Sequence, residues 1–303
     1  MGWQKVGQLY LPQGVHPKLA THAANPLPVL LHGDVYRVFY SGRDEMDRSS
    51  VGFVDVDVVR GTTVYVHDRP VFEHGDPGTF YSQGVSIGNW YEVDGRRFVL
   101  FMGWQCPDGG HWFGEVGCLH LSEDWSLSLV GESALMPLDH EDPISLSYPW
   151  VRRERDGTYR MWYGSTTTWN AGNDEMVHVI KGANSSDGHN WRKTGTAVPF
   201  ALGVAQAFSR PTVMSDADGY HMWFSYRPGN NTTYRIGYAR SACGDQWDLR
   251  LEGTGIDVSE SGWDSEMIEY PYVFEHKGRW LMLYNGNGYG KSGFGLAVYD
   301  RAW

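Results

Sequence analysis

Five copies of one segment predict an all-β fold, a five-bladed β-propeller with four antiparallel strands per blade. The copies are "GDVYRVFYSG", "DGRRFVLFMG", "DGTYRMWYGS", "DGYHMWFSY" and "KGRWLMLYNG". Aligned on their last bulky residue, the anchors Tyr40, Met102, Tyr163, Phe224 and Tyr284 are spaced by 62, 61, 61 and 60 residues. A period of this length, with short β-rich runs and glycine turns, is the sequence form of a propeller. No segment shows helical periodicity over 11 or more residues, so residues 1–303 read as a single domain.

Each strand of the unit has its own signal. The first is opened by proline in most copies ("PLPVLL", "YPWVRRE", "RPTVMS", "YPYVFEH"). The second is the anchor-bearing run, entered through a Gly-containing hairpin turn. The third is rich in glycine and small residues ("SVGFVDVD", "EVGCLHLS", "VIKGANSS", "RIGYARSA", "GFGLAVYD"). Trp125, Trp191 and Trp247 suit a fourth, outer strand. The last run, "GFGLAVYDRAW", closes the ring alone or with the N-terminal "WQKVGQLYL" as an outer strand.

Composition excludes several functions. Hydrophobic residues make up 41% and charged residues 20%, enough for a core and against disorder. Aromatics reach 15%, and 36 Asp and Glu outweigh 25 Lys and Arg for a net charge of −11. That balance argues against a nucleic-acid partner or an anionic membrane surface. With no apolar stretch long enough for a leader or a span, the chain is expected to be cytoplasmic and soluble. Cys106, Cys118 and Cys243 show no pairing or zinc spacing, so they read as small buried residues. "DHEDP" (139–143) reads as a solvated loop rather than a metal cluster. The glycines of "NGNGYGKSGFG" (285–295) have no helix after them and read as tight turns. No metal and no cofactor are expected.

In a propeller the loops entering the innermost strands and those leaving the second strands gather at one mouth. The first set comprises Asn25, Gln83, Tyr148, Arg210 and Glu269 with Tyr270. The second comprises Arg43 and Asp44, Trp104 and Gln105, Thr166 and Thr167, Arg227, and Asn285 with Asn287. Hydrogen-bonding groups, aromatic faces and arginines suit a polyhydroxylated or anionic ligand, with Arg210 and Arg227 as a clamp for an oxyanion. His178 and His22 are placed to reach the channel. The acids of "WDSEMIEYPYVF" (263–274) raise a further question, since like charges gathered in a pocket raise one another's pKa values.

The repeats resemble the five-bladed propeller glycosidases (arabinanases, xylosidases and invertase-like enzymes) and the mannoside phosphorylases. The nearest local forms are "FYSGRD", "MWYGS", and "MWFSY" with "YRIGYARS". The resemblance implies a base or nucleophile Asp before the first proline of blade 1, where this chain has Asn25. It implies a second Asp at a middle blade, where this chain has Tyr148 and Arg210. It implies a general-acid Glu two residues before proline, which Glu269 matches. Asp44, Asp264 or Glu266 then remain to supply the second group that glycosidic cleavage needs.

Three functions follow. The first is a carbohydrate-active enzyme, hydrolase or phosphorylase, acting on a glycosidic bond with Glu269 as acid. The second is a lyase, isomerase or cyclase on the same scaffold, acting on a sugar-derived intermediate in polysaccharide or natural-product biosynthesis. The third is a sugar-binding protein without chemistry. In each the partner is a small sugar or sugar-derived molecule.

Overall fold

Each glycine turn of the repeat is a hairpin, and the hairpins assemble into sheets of antiparallel strands. In the computed structural model, which describes residues 2–300, the chain opens with β1 (Gly2–Tyr10). A first meander follows: β2 (Thr21–His32), β3 (Val35–Arg43), β4 (Ser49–Asp57) and β5 (Thr62–Val66). The next is β6 (Gly84–Val93), β7 (Arg96–Gln105), β8 (Phe113–Leu121) and β9 (Leu127–Leu129). The third is β10 (Leu146–Arg153), β11 (Tyr159–Thr168), β12 (Val177–Ser185) and β13 (Arg192–Thr196). The fourth is β14 (Ser209–Asp216), β15 (Gly219–Tyr226), β16 (Arg235–Ser241) and β17 (Asp248–Leu249). The chain ends with β18 (Glu269–His276), β19 (Arg279–Asn285) and β20 (Phe294–Asp300). The fold is all-β, with helix confined to two short 3₁₀ turns, Pro17–Leu19 and Leu251–Gly253.

The strands form four sheets, and the largest joins β2–β5 to β6–β9 through one parallel bridge, Ser49 with Gly84. The last sheet is completed by β1, which pairs antiparallel with β20. The N-terminal segment thus supplies the outer strand and covers the edge of the final unit. Arg301–Trp303 of the last run lie outside the described residues. The first strands of the meanders touch in sequence, β2 to β6, β6 to β10, β10 to β14 and β14 to β18, and β18 returns to β2.

All five anchors are buried on the second strands. In two units the anchor ring lies across a glycine of the third strand. A Cβ on Gly52 would stand 2.8 Å from the Tyr40 ring, and one on Gly237 would stand 2.6 Å from Phe224. The tryptophans differ from expectation: Trp125, Trp191 and Trp247 lie in the turns just before β9, β13 and β17, because these outer strands are short. Of the cysteines, which are all unpaired, only Cys118 is buried, since Cys106 and Cys243 fall in loops after β7 and β16. "DHEDP" also differs. Asp142 is fully buried, 2.7 Å from Lys181 Nζ and 2.6 Å from Lys193 Nζ, and accepts hydrogen bonds from Tyr163 and Ser165.

Neighbouring first strands do not pair as a sheet, so side chains bridge them. Asn89 exchanges two hydrogen bonds with Val151 and Thr212 accepts from the Val273 amide, while Ser41, on the second strand β3, accepts from the Ile87 amide of β6. Each first strand also breaks register near the axis, between Ala24 and Leu27, Ile87 and Trp90, Ser147 and Trp150, Ser209 and Thr212, and Glu269 and Tyr272. In four of the five, the residue before proline has a left-handed backbone: Asn25 (φ 57°), Tyr148 (35°), Arg210 (47°) and Tyr270 (51°). Non-glycine residues rarely adopt it, and a following proline disfavours helical backbone further. Such strain persists only where surroundings over-determine it.

Arg210 is what surrounds itself with these bulges. Its side chain is fully buried and donates to the carbonyls of Tyr270 (2.7 Å), Pro26 (2.9 Å) and Gly88 (3.3 Å). One side chain on β14 therefore ties β18, β2 and β6 together. Replacing it by methionine should leave three buried acceptors unpaired, at about 1–3 kcal/mol each. Urea unfolding of Arg210→Met is expected to show a loss on the order of 3–5 kcal/mol, with Arg210→Lys in between. A loss below about 1 kcal/mol would mean that the axis does not depend on this residue.

Candidate functional site

The strand ends surround a cavity of about 510 Å³, a size usual for small-molecule sites. Arg43 closes β3, Trp104 lies near the end of β7, and Tyr148 and Tyr270 come from the bulges of β10 and β18; all four line the cavity. His178 from β12 and Arg227 just after β15 complete the sequence-predicted part of the lining. The Tyr148 and Tyr270 rings pack at a tilt of 43°, with centroids 5.3 Å apart and hydroxyls 3.4 Å apart.

Glu269 is the first residue of β18, two positions before Pro271, and has no exposed surface. Among the described residues neither of its carboxyl oxygens has a hydrogen-bond partner. Burial pushes its pKa well above the usual carboxylate range, with Arg227 and Arg43 only partly offsetting this. Its charged form would act in turn on the hydroxyls of Tyr148, Tyr234 and Tyr270, which places the carboxyl close to these three cavity-lining tyrosines, while Glu269 itself is not part of the lining. A shift in this direction favours the neutral form of the carboxyl.

His178 is buried between two hydroxyls. Its Nε2 is 2.6 Å from Ser147 Oγ, which lines the cavity, and its Nδ1 is 2.7 Å from Thr166 Oγ1. Burial first, and then the charge of Arg227, lower its pKa to about 3, so the ring is neutral. Thr166 thus orients the histidine rather than facing a ligand. His22, at the rim beside Arg43, is likewise lowered to about 4, chiefly by burial.

The other predicted residues have structural partners instead. Asp44 accepts from the amides of Met46 and Arg48 and from Arg48 Nε, all at 2.9 Å, and so braces the loop after β3. Glu266 is exposed, while Asp264 is buried 2.7 Å from Lys5 Nζ and accepts from the Tyr284 hydroxyl. The acidic cluster is therefore dispersed, and of its three acids Glu269 alone is buried without a hydrogen-bond partner among the described residues. Arg210 serves the axis and not a ligand. Asn285 bonds the Asn25 amide and the carbonyls of Ala23 and Gly293, and Asn287 receives the amides of Glu266 and Met267. Asn25 is buried beside this clip. Gln83 lies before β6 and contacts the Met46 carbonyl at 3.5 Å; the bulge matching Asn25 in that unit is Gly88–Asn89.

Loops supply what the repeat pattern missed. Glu175 lies in the loop after β11 and meets the Arg227 guanidinium at 2.7 and 2.8 Å. Arg227 also stacks on Tyr234, 4.5 Å from its ring centroid, and points to the Tyr289 hydroxyl at 3.4 Å. At the rim, His111 stacks on Trp169 at 4.7 Å, and Trp112 meets the same indole edge-on at 4.9 Å. Tryptophans in "CPDGGHWF" and "TTTWN", outside any strand pattern, were the available signal.

Glu269 holds a proton in the folded chain at pH values where the unfolded chain has lost it. Its contribution to stability therefore falls as pH rises above 4.5, and a glutamine lacks that loss. His178 works oppositely, losing stability as pH falls from 6.5 toward about 3, but is common to both proteins and cancels. Between about pH 5 and about pH 7, Glu269→Gln should gain on the parent by up to about 1.4 kcal/mol per unit in urea unfolding. A constant difference would show that the folded carboxyl is ionised.

No family model matches the chain. Its likeness to solved structures is of fold: a glycoside hydrolase superposes with TM-score 0.74 at 14% identity, covering 98% of this chain and 91% of that one. A structure from the GH130 family of mannoside phosphorylases, which contains glycoside hydrolases targeting β-1,2 mannosidic linkages, gives 0.69 at 13%, covering 100% and 91%. The endo-arabinase from Bacteroides thetaiotaomicron gives 0.64 at 14%, covering 94% and 97%. At such identities the shared feature is the propeller fold of these enzymes. Two sequences of Mycobacterium tuberculosis are far nearer. "Uncharacterized protein Rv1502" (strain ATCC 25618 / H37Rv) and "Uncharacterized protein MT1551" (strain CDC 1551 / Oshkosh) are each 40% identical over 303 residues, covering 99% of this chain and 100% of theirs. The chain belongs to the family of these mycobacterial proteins.

Proposed function

We propose that residues 1–303 form one five-bladed propeller domain and that the protein is a carbohydrate-active enzyme acting on a glycosidic bond. The observation that carries this is Glu269: a buried carboxyl without hydrogen-bond partners among the described residues, its pKa raised by burial, next to the tyrosines of an aromatic, hydroxyl-lined cavity. The ring of contacts among β2, β6, β10, β14 and β18 supports the blade count, and the fold of the superposed glycoside hydrolases supports the substrate class. The three unpaired cysteines support a reducing compartment, the cytoplasm.

In this reading the sugar lies across the rings of Tyr148 and Tyr270, and Glu269 gives its proton to the glycosidic oxygen as the bond to the anomeric carbon breaks. Water or phosphate then takes the anomeric carbon. Among the described residues the carboxylates of the lining are Asp174, exposed on its loop, and Glu175, held by Arg227. Neither Asp44 nor Asp264 is free to serve opposite Glu269. That shortage, together with Asn25 at the first bulge, favours a second reading: non-hydrolytic chemistry, such as a lyase or isomerase step, on a sugar-derived intermediate, with Glu269 again moving the proton.

A panel of aryl arabinofuranosides, xylosides, fructosides and mannosides, with and without phosphate, separates the two. Turnover that drops about a hundredfold or more in Glu269→Gln is expected for loss of a general acid. Phosphate dependence would make the enzyme a phosphorylase. Equal turnover by the mutant would remove Glu269 from the mechanism, and no turnover of any glycoside by the parent would leave the non-hydrolytic reading.

A further inference from the structure

Two arginines line the cavity, and their circumstances differ. Arg227 is neutralised by Glu175 on two sides and covered by Tyr234. Arg43 is only loosely paired. Among the described residues its ion pair is with Asp47 at 3.7 Å, beyond hydrogen-bond range for a guanidinium, and the Asp47 side chain is 74% exposed. Arg43 keeps a third of its side chain exposed at the cavity wall, with five N–H donors in a planar fork. Glu269 in its neutral form does not cancel its charge.

We propose that the substrate of this site carries an oxyanion substituent, a carboxylate or a phosphate ester, that seats against the Arg43 guanidinium. A chain with net charge −11 repels anions over most of its surface, so a loosely paired arginine inside a cavity is a selective attractor. The fork geometry matches two oxygens of one group, and pairing in a partly closed site is stronger than at a surface. The Ser86 hydroxyl and Trp104 line the cavity with Arg43 and can flank the sugar ring. An anion held there would also keep the neighbouring Glu269 protonated, because like charges disfavour its ionisation. The inference rests on the sugar-acting reading and names its substrate class.

Binding tests it without requiring turnover. Calorimetric titration would compare D-glucuronate, D-galacturonate and glucose 6-phosphate with glucose and galactose, and with inorganic phosphate alone. The anionic sugars should bind about tenfold or more tighter than their neutral counterparts, about 1.4 kcal/mol. Arg43→Gln should lose this preference while keeping its weak affinity for the neutral sugars. Arg43→Lys, which keeps the charge without the fork, should retain part of it, and raised salt should weaken the parent's preference. Equal binding of anionic and neutral sugars, no binding of any anionic sugar, or a preference that survives Arg43→Gln overturns the proposal. Arg43-dependent binding of free phosphate with no preference among sugars also overturns it, because the anion is then a separate ligand. All these outcomes leave the role of Glu269 to the turnover assay, so the two readings fail separately.

Discussion

A cation without a counter-ion sits on the axis of this fold. Arg210 is fully buried, and among the described residues no carboxylate pairs with it; its two terminal nitrogens donate to carbonyls of β18, β2 and β6, while its Nε has no hydrogen-bond partner. Burial lowers its pKa to about 10, which still leaves it charged near neutrality. A buried charge is tolerable only when its hydrogen bonds are made. The carbonyls must therefore turn inward, and the strands can present them only by leaving regular pairing. The register breaks at Pro26, Gly88 and Tyr270 satisfy that demand, and the left-handed backbones of Asn25 and Tyr270 accompany it.

The bulges in turn decide what reaches the cavity. A regular strand alternates its side chains between faces, but a bulge sends neighbouring residues to the same region. Tyr148 and Tyr270 are thereby aimed into the cavity, and Glu269, one residue earlier, is left beneath it with no donor in reach. Tyr270 is fixed three ways: its amide donates to Ser225, its carbonyl accepts from Arg210, and its ring packs against Tyr148. The axis and the buried carboxyl are thus one construction. Strain in the backbone is balanced by the arginine, and the same strain keeps an isolated carboxyl out of water.

How much of this the sequence carried follows from what repeats and what does not. The 60–62-residue spacing depends on burying one bulky anchor on the second strand of every unit, a requirement all units share, so strands and anchors were legible. The cavity is where the units differ. Glu269 was legible because its place before proline is local. The dispersal of Asp264 and Glu266 was not, since it depends on Lys5, which is more than 250 residues away and belongs to the strand that completes the last sheet. Arg210 looked like a ligand residue for the same reason: its partners are carbonyls of three other strands, which no side-chain pattern reveals. Gln83 was misplaced because the second unit lacks the proline that marks the bulge elsewhere. Glu175, Tyr234 and the Trp112–Trp169 pair lie in loops, which carry no period.

The charge arrangement constrains the chemistry further than the list of residues does. Arg227 is cancelled by Glu175, Arg210 donates to backbone carbonyls, and burial favours the neutral forms of His178 and Glu269. What the cavity then offers a ligand is a positive fork on Arg43 and aromatic faces, with the Glu269 carboxyl close behind the tyrosines. In the proposed reading Glu269 protonates a leaving oxygen, and the electron pair that completes the reaction arrives with water, with phosphate or from the substrate itself. The asymmetry of the five bulges, one Asn, one Gly, one Tyr, one Arg and one Glu–Tyr pair, is what distinguishes this site from a propeller that repeats one binding pocket in every unit.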